Sequence, residues 1–129
     1  MITPLSTMRK IATALIIFVS LEHLGFLIME MFFWQTPFVQ KVFGVSPELA
    51  AESGFMAANQ GLYNGFLSIG LLWGLVAQKK DVILFFLLCV IVAGIFGAIT
   101  VKPTVFVAQS VPAIMALILS LLSAKDSKY

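Results

Sequence analysis

The side chains best suited to chemistry are two glutamates and a histidine in an otherwise apolar stretch near the N-terminus. Glu22, His23 and Glu30 lie within the sequence LEHLGFLIMEMFFW, which is apolar enough to belong to a membrane-crossing segment. A charged side chain at the centre of a membrane helix costs about 2.5–3.5 kcal/mol on insertion scales. These carboxyl groups are therefore expected either to take up a proton or to face protein partners, and they mark a candidate functional site.

Helical spacing places two of these groups on one stripe. Residues seven apart nearly eclipse on a helix, so His23 and Glu30 share a face, and Trp34 follows one turn beyond. Glu22 is displaced from His23 by about 100°. We predict that His23 and Glu30 form a proton-handling or polar-anchoring pair and that Glu22 orients His23. The alternative is that His23 is a hydrogen-bonded structural residue and that Glu22 only holds a neighbouring helix.

A second polar cluster occurs in the sequence AANQGLYNGFL. Its members fall within two helical turns: Asn59, Gln60, Tyr63 and Asn64. We expect them to supply partners for the first-helix carboxyl groups and to fix a ligand, although amides in membrane helices also serve simply to join helices. Gly61 and Gly65 have the spacing of small residues that let a neighbouring helix approach closely, and Gly70 with Gly74 repeats it.

The last apolar stretch contributes Gln109 and Ser110, followed by Pro112. Proline cannot donate to the carbonyl one turn earlier, near Ala108, so an irregularity is expected there. In an alternating bundle, Gln109 comes to a depth similar to that of Glu30 and the second cluster. We therefore predict a polar pocket in the outer half of the bundle, with Trp34 and Gln109 among its ligand-binding residues.

Four apolar stretches must position these groups, at residues 11–34, 55–77, 82–101 and 104–122. About 20 residues cross the hydrocarbon core as a helix, and a helix satisfies its own backbone in lipid. Hydrophobic residues make up 60% of the chain and charged residues 11%, far from the balance of a soluble domain. The predicted fold is all-α: one polytopic domain over residues 1–129, a bundle of four transmembrane helices.

The connections predict further structure and an orientation. In the long first connection, Ser46, Pro47 and Glu48 have the pattern of a helix start, and this helix could continue into the second span. An apolar face precedes it and predicts a short extra helix: Phe38, Val39, Val42 and Phe43. Basic residues favour the cytoplasmic side. Six fall on one side, Arg9, Lys10, Lys79, Lys80, Lys125 and Lys128, against Lys41 and Lys102 on the other. Both termini are thus predicted to be cytoplasmic, in a bacterial inner membrane.

Several function classes find no support in the sequence. The net charge of +2 gives no footprint for nucleic acid. The single cysteine, Cys89, excludes an intramolecular disulfide. One histidine with two glutamates lacks the spacing of a zinc signature, so no metal site is predicted. No motif identifies a cofactor.

The segments LEHLGFLIMEMFFWQTP, KVFG and ANQGLYNGFLSIGLLWG resemble a bacterial family of small integral membrane proteins classed as a domain of unknown function. The resemblance covers essentially the whole chain. It implies a four-helix membrane protein and no established activity. The family pattern falls on the positions already singled out: Glu22, His23, Glu30, Trp34, Asn59, Gln60, Tyr63 and Asn64.

These observations favour a membrane-embedded protein that binds a small amphiphilic molecule, or acts on it by acid–base chemistry. The lipid bilayer and a lipid-like molecule are the expected partners. One alternative is a proton-coupled transporter or its subunit, which would require a homodimer because four helices leave little room for alternating access. Another is a structural assembly partner whose polar residues only lock helices together.

Overall fold

The structure, a computed structural model, describes residues 4–123, and this range contains helices and no strands. The α-helices are α1 (Pro4–Phe32), α2 (Pro37–Phe43), α3 (Pro47–Val76), α4 (Lys80–Thr100) and α5 (Val111–Leu122). A π-helical segment, Phe106–Ser110, precedes α5. The predicted all-α class is confirmed for this part of the chain. Lys125 and Lys128, used in the orientation argument, lie outside the described residues.

Two helices are long and apolar enough to cross a membrane, judged by length and composition. They are α1 and α4. The helical stretch Phe106–Leu122 is apolar but shorter, and α3 is not among the candidates in the described range. The amides of α3 lower its hydropathy, because Asn59, Gln60 and Asn64 fall within its apolar part. A count of four spans therefore stays a prediction.

The first helix ends earlier than expected, so the prediction that Trp34 belongs to it is wrong. Helix α1 stops at Phe32, and Trp34 lies in the turn that follows. Pro37 explains the stop, because it has no N–H to donate to the carbonyl of Phe33. The Thr36 hydroxyl donates to that carbonyl instead, at 2.7 Å.

The long first connection contains the short helix that the sequence predicts. Thr36 caps α2 by accepting from the Val39 N–H at 3.4 Å, and Pro37 is the first helical residue. Val39 is buried, whereas Phe38 is exposed. Gly44 ends α2 with φ of 71°, in the left-handed region that glycine adopts without strain.

The start of α3 also agrees with its sequence signature. The Ser46 hydroxyl accepts from the Leu49 N–H at 3.2 Å, and Pro47 takes the first helical position. Hydrogen bonds from its own backbone N–H and from Ser46 hold the pKa of Glu48 below its ordinary value. From Pro47 the helix continues without a break to Val76, which confirms that one helix joins the connection to the second apolar stretch.

The helices are divided between two compact units, with a boundary inside α1 and another inside α3. We call them the central unit, Leu21–Ser68, and the terminal unit, which contains residues 4–20 and 69–123 of the described chain. In the terminal unit α4 packs against α5 and against the π-helical segment. Its most deeply buried apolar side chains include Leu71, Leu87, Val90 and Ala116.

The last apolar stretch carries the irregularity expected from Pro112. The Val111 N–H donates to the carbonyl of Phe106, five residues back, instead of following the usual four-residue spacing. The Ser110 hydroxyl donates to the Ile91 carbonyl of α4 at 3.0 Å. Gly94 of α4 permits this close contact, since a Cβ at its position would overlap the Ser110 hydroxyl. The proline thus widens one helical turn at the point where this segment touches α4.

Candidate ligand groove of the central unit

Two of the glycines of α3, Gly61 and Gly65, bring its backbone close to α1. A Cβ on Gly61 would lie 3.1 Å from the Leu27 carbonyl oxygen and 2.8 Å from Cγ of Met31. A Cβ on Gly65 would overlap the Leu27 side chain. The predicted role of this pair in close helix approach is confirmed. The pair Gly70 and Gly74 does the same in the terminal unit, against Phe86 and Ile83 of α4.

This close approach lets Asn64 reach Glu30. Nδ2 of Asn64 donates to Oε2 of Glu30 at 2.7 Å, in a partly buried position. A bond this short is typical of a carboxyl oxygen that accepts from an amide. One polar group of each cluster singled out in the sequence is therefore joined across the α1–α3 contact. The amide fixes one oxygen of the Glu30 carboxyl group, and the other oxygen keeps its capacity to accept.

Trp34 lies close by, after the end of α1. Its Nε1–H donates to the Ser53 hydroxyl at 3.1 Å, and that hydroxyl donates to the Leu49 carbonyl at 2.6 Å. The indole ring also meets Phe43 of α2 edge-on, with ring centroids 5.1 Å apart. These contacts tie the turn to both α2 and α3 and set the position of the indole.

Glu30 and Trp34 line a common groove of about 280 Å³. Its lining, which defines the Glu30 groove, consists of Glu30, Met31, Phe32, Trp34, Gln35 and Gly54. Gly54 adds no side chain to this lining, and a Cβ at its position would make only an ordinary contact, with Nε2 of Gln35 at 3.5 Å. The groove offers a carboxyl group, an amide and an indole next to exposed apolar side chains. Phe32 is 69% exposed.

His23 is enclosed and does not line the groove. Its side chain is 0% exposed, and its ring packs edge-on against Phe26 with centroids 5.6 Å apart. His23 and Glu30 share a helix face as predicted. However, seven residues of α-helix separate them by about 10 Å along the axis, which is too far for direct contact. Their action as a proton-handling pair stays a prediction.

Glu22 is half-buried, and its Oε2 atom is buried without a hydrogen bond to any described atom. Burying a polar atom in this way costs free energy. Its predicted role in orienting His23 is not tested by these contacts. Within residues 4–123, no three of the His, Cys, Asp and Glu side chains come close enough to hold a metal ion.

The other three residues of the second polar cluster lie on the exposed surface of α3: Asn59, Gln60 and Tyr63. The geometry of the helix explains why. With Gly61 facing α1, Asn64 lies about 60° around the helix, whereas Asn59 and Tyr63 lie about 160° away. Tyr63 is 55% exposed and meets Phe66 edge-on. Asn64 alone of the four bonds to Glu30 in the described structure, and ligand binding by the other three stays a prediction.

Gln109 belongs to the terminal unit, where its Cβ lies beside Gly94 of α4. Its predicted place in a polar layer with Glu30 stays a prediction.

Sequence reasoning missed Ser53, Gln35 and Gly54. A signal was present in α3, where small residues recur every three or four positions along one face. They are Ala50, Ser53, Gly54, Ala57, Gly61, Gly65 and Ser68. All of them are buried or half-buried. Ser53 and Gly54 lie on this same face, about two turns before Gly61, and Gly54 lines the groove.

The fold and the groove together define an all-α protein with two helices suited to crossing a membrane and a carboxyl–amide contact between α1 and α3. Residues 17–121 match the family described as "Protein of unknown function (DUF1304)", and the chain belongs to that family. The resemblance drawn from the sequence motifs is thereby confirmed.

One similar protein is "Uncharacterized protein YpaA" of Lactococcus lactis subsp. lactis (strain IL1403). It is 26% identical over 117 residues, which cover 88% of this chain and 98% of the relative. No solved structure matches the chain significantly.

Proposed function

We propose that this chain is a small polytopic membrane protein that binds an amphiphilic molecule in the Glu30 groove. The observation that carries the proposal is the 2.7 Å hydrogen bond from Asn64 to Glu30 at the groove wall. By fixing one oxygen of the carboxyl group, the bond leaves the second oxygen to accept from a ligand. Positioned polar groups in an otherwise apolar cavity are typical of small-molecule sites.

The groove favours a particular ligand chemistry. Glu30 offers an acceptor, so the polar end of the ligand should donate hydrogen bonds, as an amine or a hydroxyl group does. An ammonium group could also lie against the indole of Trp34. A groove of about 280 Å³ accommodates a headgroup more readily than a whole lipid. An acyl chain would continue over exposed Phe32 and Met31.

The geometry supports binding better than acid–base catalysis. His23, the strongest proton-handling candidate in the sequence, is enclosed beside Phe26 and lies outside the groove. A catalytic base must come within hydrogen-bonding reach of the substrate proton. We further propose four spans with both termini in the cytoplasm, because the cytoplasmic side would then hold Arg9, Lys10, Lys79 and Lys80.

The test uses Trp34 as the reporter of its own groove. The chain has two tryptophans, so replacing Trp73, which lies on an exposed part of α3, leaves Trp34 as the only indole. The W73F protein in lipid nanodiscs is titrated with dodecylamine and, separately, with dodecanoate. Dodecylamine should change the Trp34 emission saturably. Dodecanoate should not change the emission, because its carboxylate can only accept hydrogen bonds and would meet the acceptor oxygen of Glu30.

Glu30→Gln should weaken dodecylamine binding tenfold or more, because hydrogen bonds to charged groups contribute about 1.5–3 kcal/mol. The substitution keeps the size of the side chain and an oxygen for Asn64, but it turns a donor toward the ligand. Glu52→Gln is the matched control, since Glu52 is an exposed carboxyl group of α3 outside the groove.

A second variant, Gly54→Leu, fills the groove and should also abolish the signal. This variant still allows the proposal to be tested if the Glu30→Gln protein fails to fold. Equal dodecylamine affinity in the parent and in either variant would contradict the proposal. Such a result, together with a loss of thermal stability in Glu30→Gln, would favour the structural role of the Glu30–Asn64 contact instead.

A further inference from the structure

The terminal unit contains a second and larger cavity, of about 590 Å³, beside the turn between α3 and α4. We call it the Arg9 cavity. Its polar lining consists of Arg9, Thr13, Gln78, Lys80, Ser120 and Ser123. The remaining walls are apolar, with Ile16 and Ile83 among them. A volume between about 300 and 1,000 Å³ is typical of small-molecule sites.

The charge of this cavity is positive. Arg9 and Lys80 are both cationic, and none of the described lining residues is acidic. Asp81 follows Lys80 in α4 but does not line the cavity. The guanidinium group of Arg9 is directed by two long contacts to the Ser123 carbonyl oxygen, 3.4 Å from Nε and 3.3 Å from one terminal nitrogen. A guanidinium group has five N–H donors, so several stay available to an anion.

Gln78 adopts an unusual backbone conformation at the edge of the cavity. Its φ is 53°, and it is the only non-glycine residue with positive φ in the described chain. The Lys79 N–H donates to the Gly74 carbonyl at 2.9 Å and the Gln78 N–H to the Leu75 carbonyl at 3.2 Å. This is the helix ending in which glycine is the usual residue at the left-handed position. A glutamine there strains the backbone and adds an amide to the lining of a cationic cavity.

The first turn of α4 contributes backbone N–H groups beside the cavity, and it also contains the acidic Asp81, which does not line the cavity. Lys80 and Ile83, both in that turn, line the cavity. Lys79, at the N-cap position, makes no side-chain hydrogen bond to the first N–H groups of the helix. These groups carry the positive end of the helix dipole, which favours an anion nearby.

We propose that the Arg9 cavity binds the phosphate group of an anionic phospholipid. The phosphate oxygens accept from Arg9 and Lys80, and the Gln78 amide and the Thr13 and Ser120 hydroxyls supply further donors. An acyl chain lies along Ile16 and Ile83. Phosphate is the chemistry that two cations and several neutral donors recognise. The apolar walls favour a lipid over free phosphate as its source, and basic pockets between membrane helices bind lipid headgroups in this way.

The experiment measures lipid binding to the delipidated full chain by native mass spectrometry in detergent. Phosphatidylglycerol, phosphatidylcholine and inorganic phosphate are the separate probes. Phosphatidylglycerol should bind at least tenfold more tightly than phosphatidylcholine, and millimolar phosphate should compete only weakly. If inorganic phosphate binds more tightly than phosphatidylglycerol and displaces it, the lipid assignment is overturned. If phosphatidylglycerol and phosphatidylcholine bind equally well, the anion site is overturned.

Three variants distinguish the site from general surface charge. Lys80→Gln should lower phosphatidylglycerol affinity several-fold. Lys10→Gln, which removes an exposed cation of α1 outside the cavity, should not change it. Gln78→Gly should raise the melting temperature, because glycine adopts the left-handed conformation without strain, and yet weaken lipid binding. Equal lipid affinity in Lys80→Gln and Lys10→Gln would refute the proposal, as would a Gln78→Gly protein that is more stable and binds the lipid unchanged.

Discussion

At the residue scale, Trp34 makes two contacts, a hydrogen bond to Ser53 and a ring contact with Phe43, and it also lines the Glu30 groove. The indole N–H needs a partner when it is partly buried, and the Ser53 hydroxyl provides one while donating to its own helix. Trp34 is thus positioned by structure on two sides before any ligand arrives.

The Trp34–Ser53 hydrogen bond can be measured by a double-mutant cycle. Trp34→Phe keeps most of the ring but removes the N–H, and we expect it to lower the free energy of unfolding by about 0.5–1.5 kcal/mol. Ser53→Ala should have a similar effect, and the double variant should be little worse than either single one. Unfolding in detergent with increasing sodium dodecyl sulfate gives the values. Additive losses, within about 0.5 kcal/mol, would mean that the two side chains do not interact.

Residue chemistry was partly readable from the sequence. Buried polar groups in an apolar segment need partners, and Glu30 and Asn64, both predictable on this ground, are joined by a hydrogen bond. Asn59 and Tyr63 could not be separated from Asn64 on this ground, because composition does not tell how far a helix is rotated about its axis. The close contacts at Gly61 and Gly65 fix that rotation, and they direct Asn59 and Tyr63 away from α1.

At the scale of elements, the contact between α1 and α3 depends on the missing side chain of Gly61. A Cβ there would lie 3.1 Å from a backbone oxygen, which cannot move without shifting α1. Gly25 of α1 is different, because a Cβ there would meet no atom within 4 Å. The two glycines therefore provide a matched pair.

Gly61→Ala should lower the free energy of unfolding by about 1–3 kcal/mol, the usual cost of overpacking. Gly25→Ala should raise it by about 0.5–1 kcal/mol, because alanine loses less backbone entropy in a helix. Thermal denaturation followed by far-ultraviolet circular dichroism would compare the two variants. If both substitutions stabilise the protein, the helices do not approach each other as closely as described.

Helix starts were predicted better than helix ends. A capping residue followed by proline is a local signal, and it located the start of α3 at Pro47. The end of α1 depended on competition between a continuing apolar pattern and Pro37, five residues beyond Phe32. The widened turn at Phe106–Ser110 is a related case. Pro112 predicts an irregularity, but the sequence does not distinguish a bend from a π-helical turn.

At the scale of the whole molecule, the proposed orientation places Lys79 in the cytoplasm and Lys41 on the outside. In a Cys89→Ala background, single cysteines at these positions should react differently with a membrane-impermeant maleimide added to intact cells. Lys41→Cys should be labelled, and Lys79→Cys should be labelled only after the cells are opened. The reverse pattern would invert the topology. Labelling of both positions in intact cells would mean that α3 does not cross the membrane and would contradict the four-span proposal.

Composition was sufficient to predict the all-α class, because long apolar stretches with so few charged residues favour helices, which satisfy their own backbone hydrogen bonds. It could not foresee partners far apart in sequence, such as Arg9 and Ser123. Those contacts depend on the relative depth and rotation of the helices, and many residues each contribute a small packing free energy to both. The Arg9 cavity was missed for this reason, although each basic residue in it had been used to assign orientation.

The stretch between the Thr36 and Ser46 caps behaves as a spacer of fixed length. Each cap starts a helix at a proline, and Gly44 ends α2 between them in the left-handed conformation. A residue added or removed there would have to be absorbed by the non-helical residues 44–46, or Ser53 would be carried out of reach of Trp34. Length variation among homologous chains that keep the tryptophan–serine bond should therefore accumulate elsewhere, such as at the termini, and not in this segment.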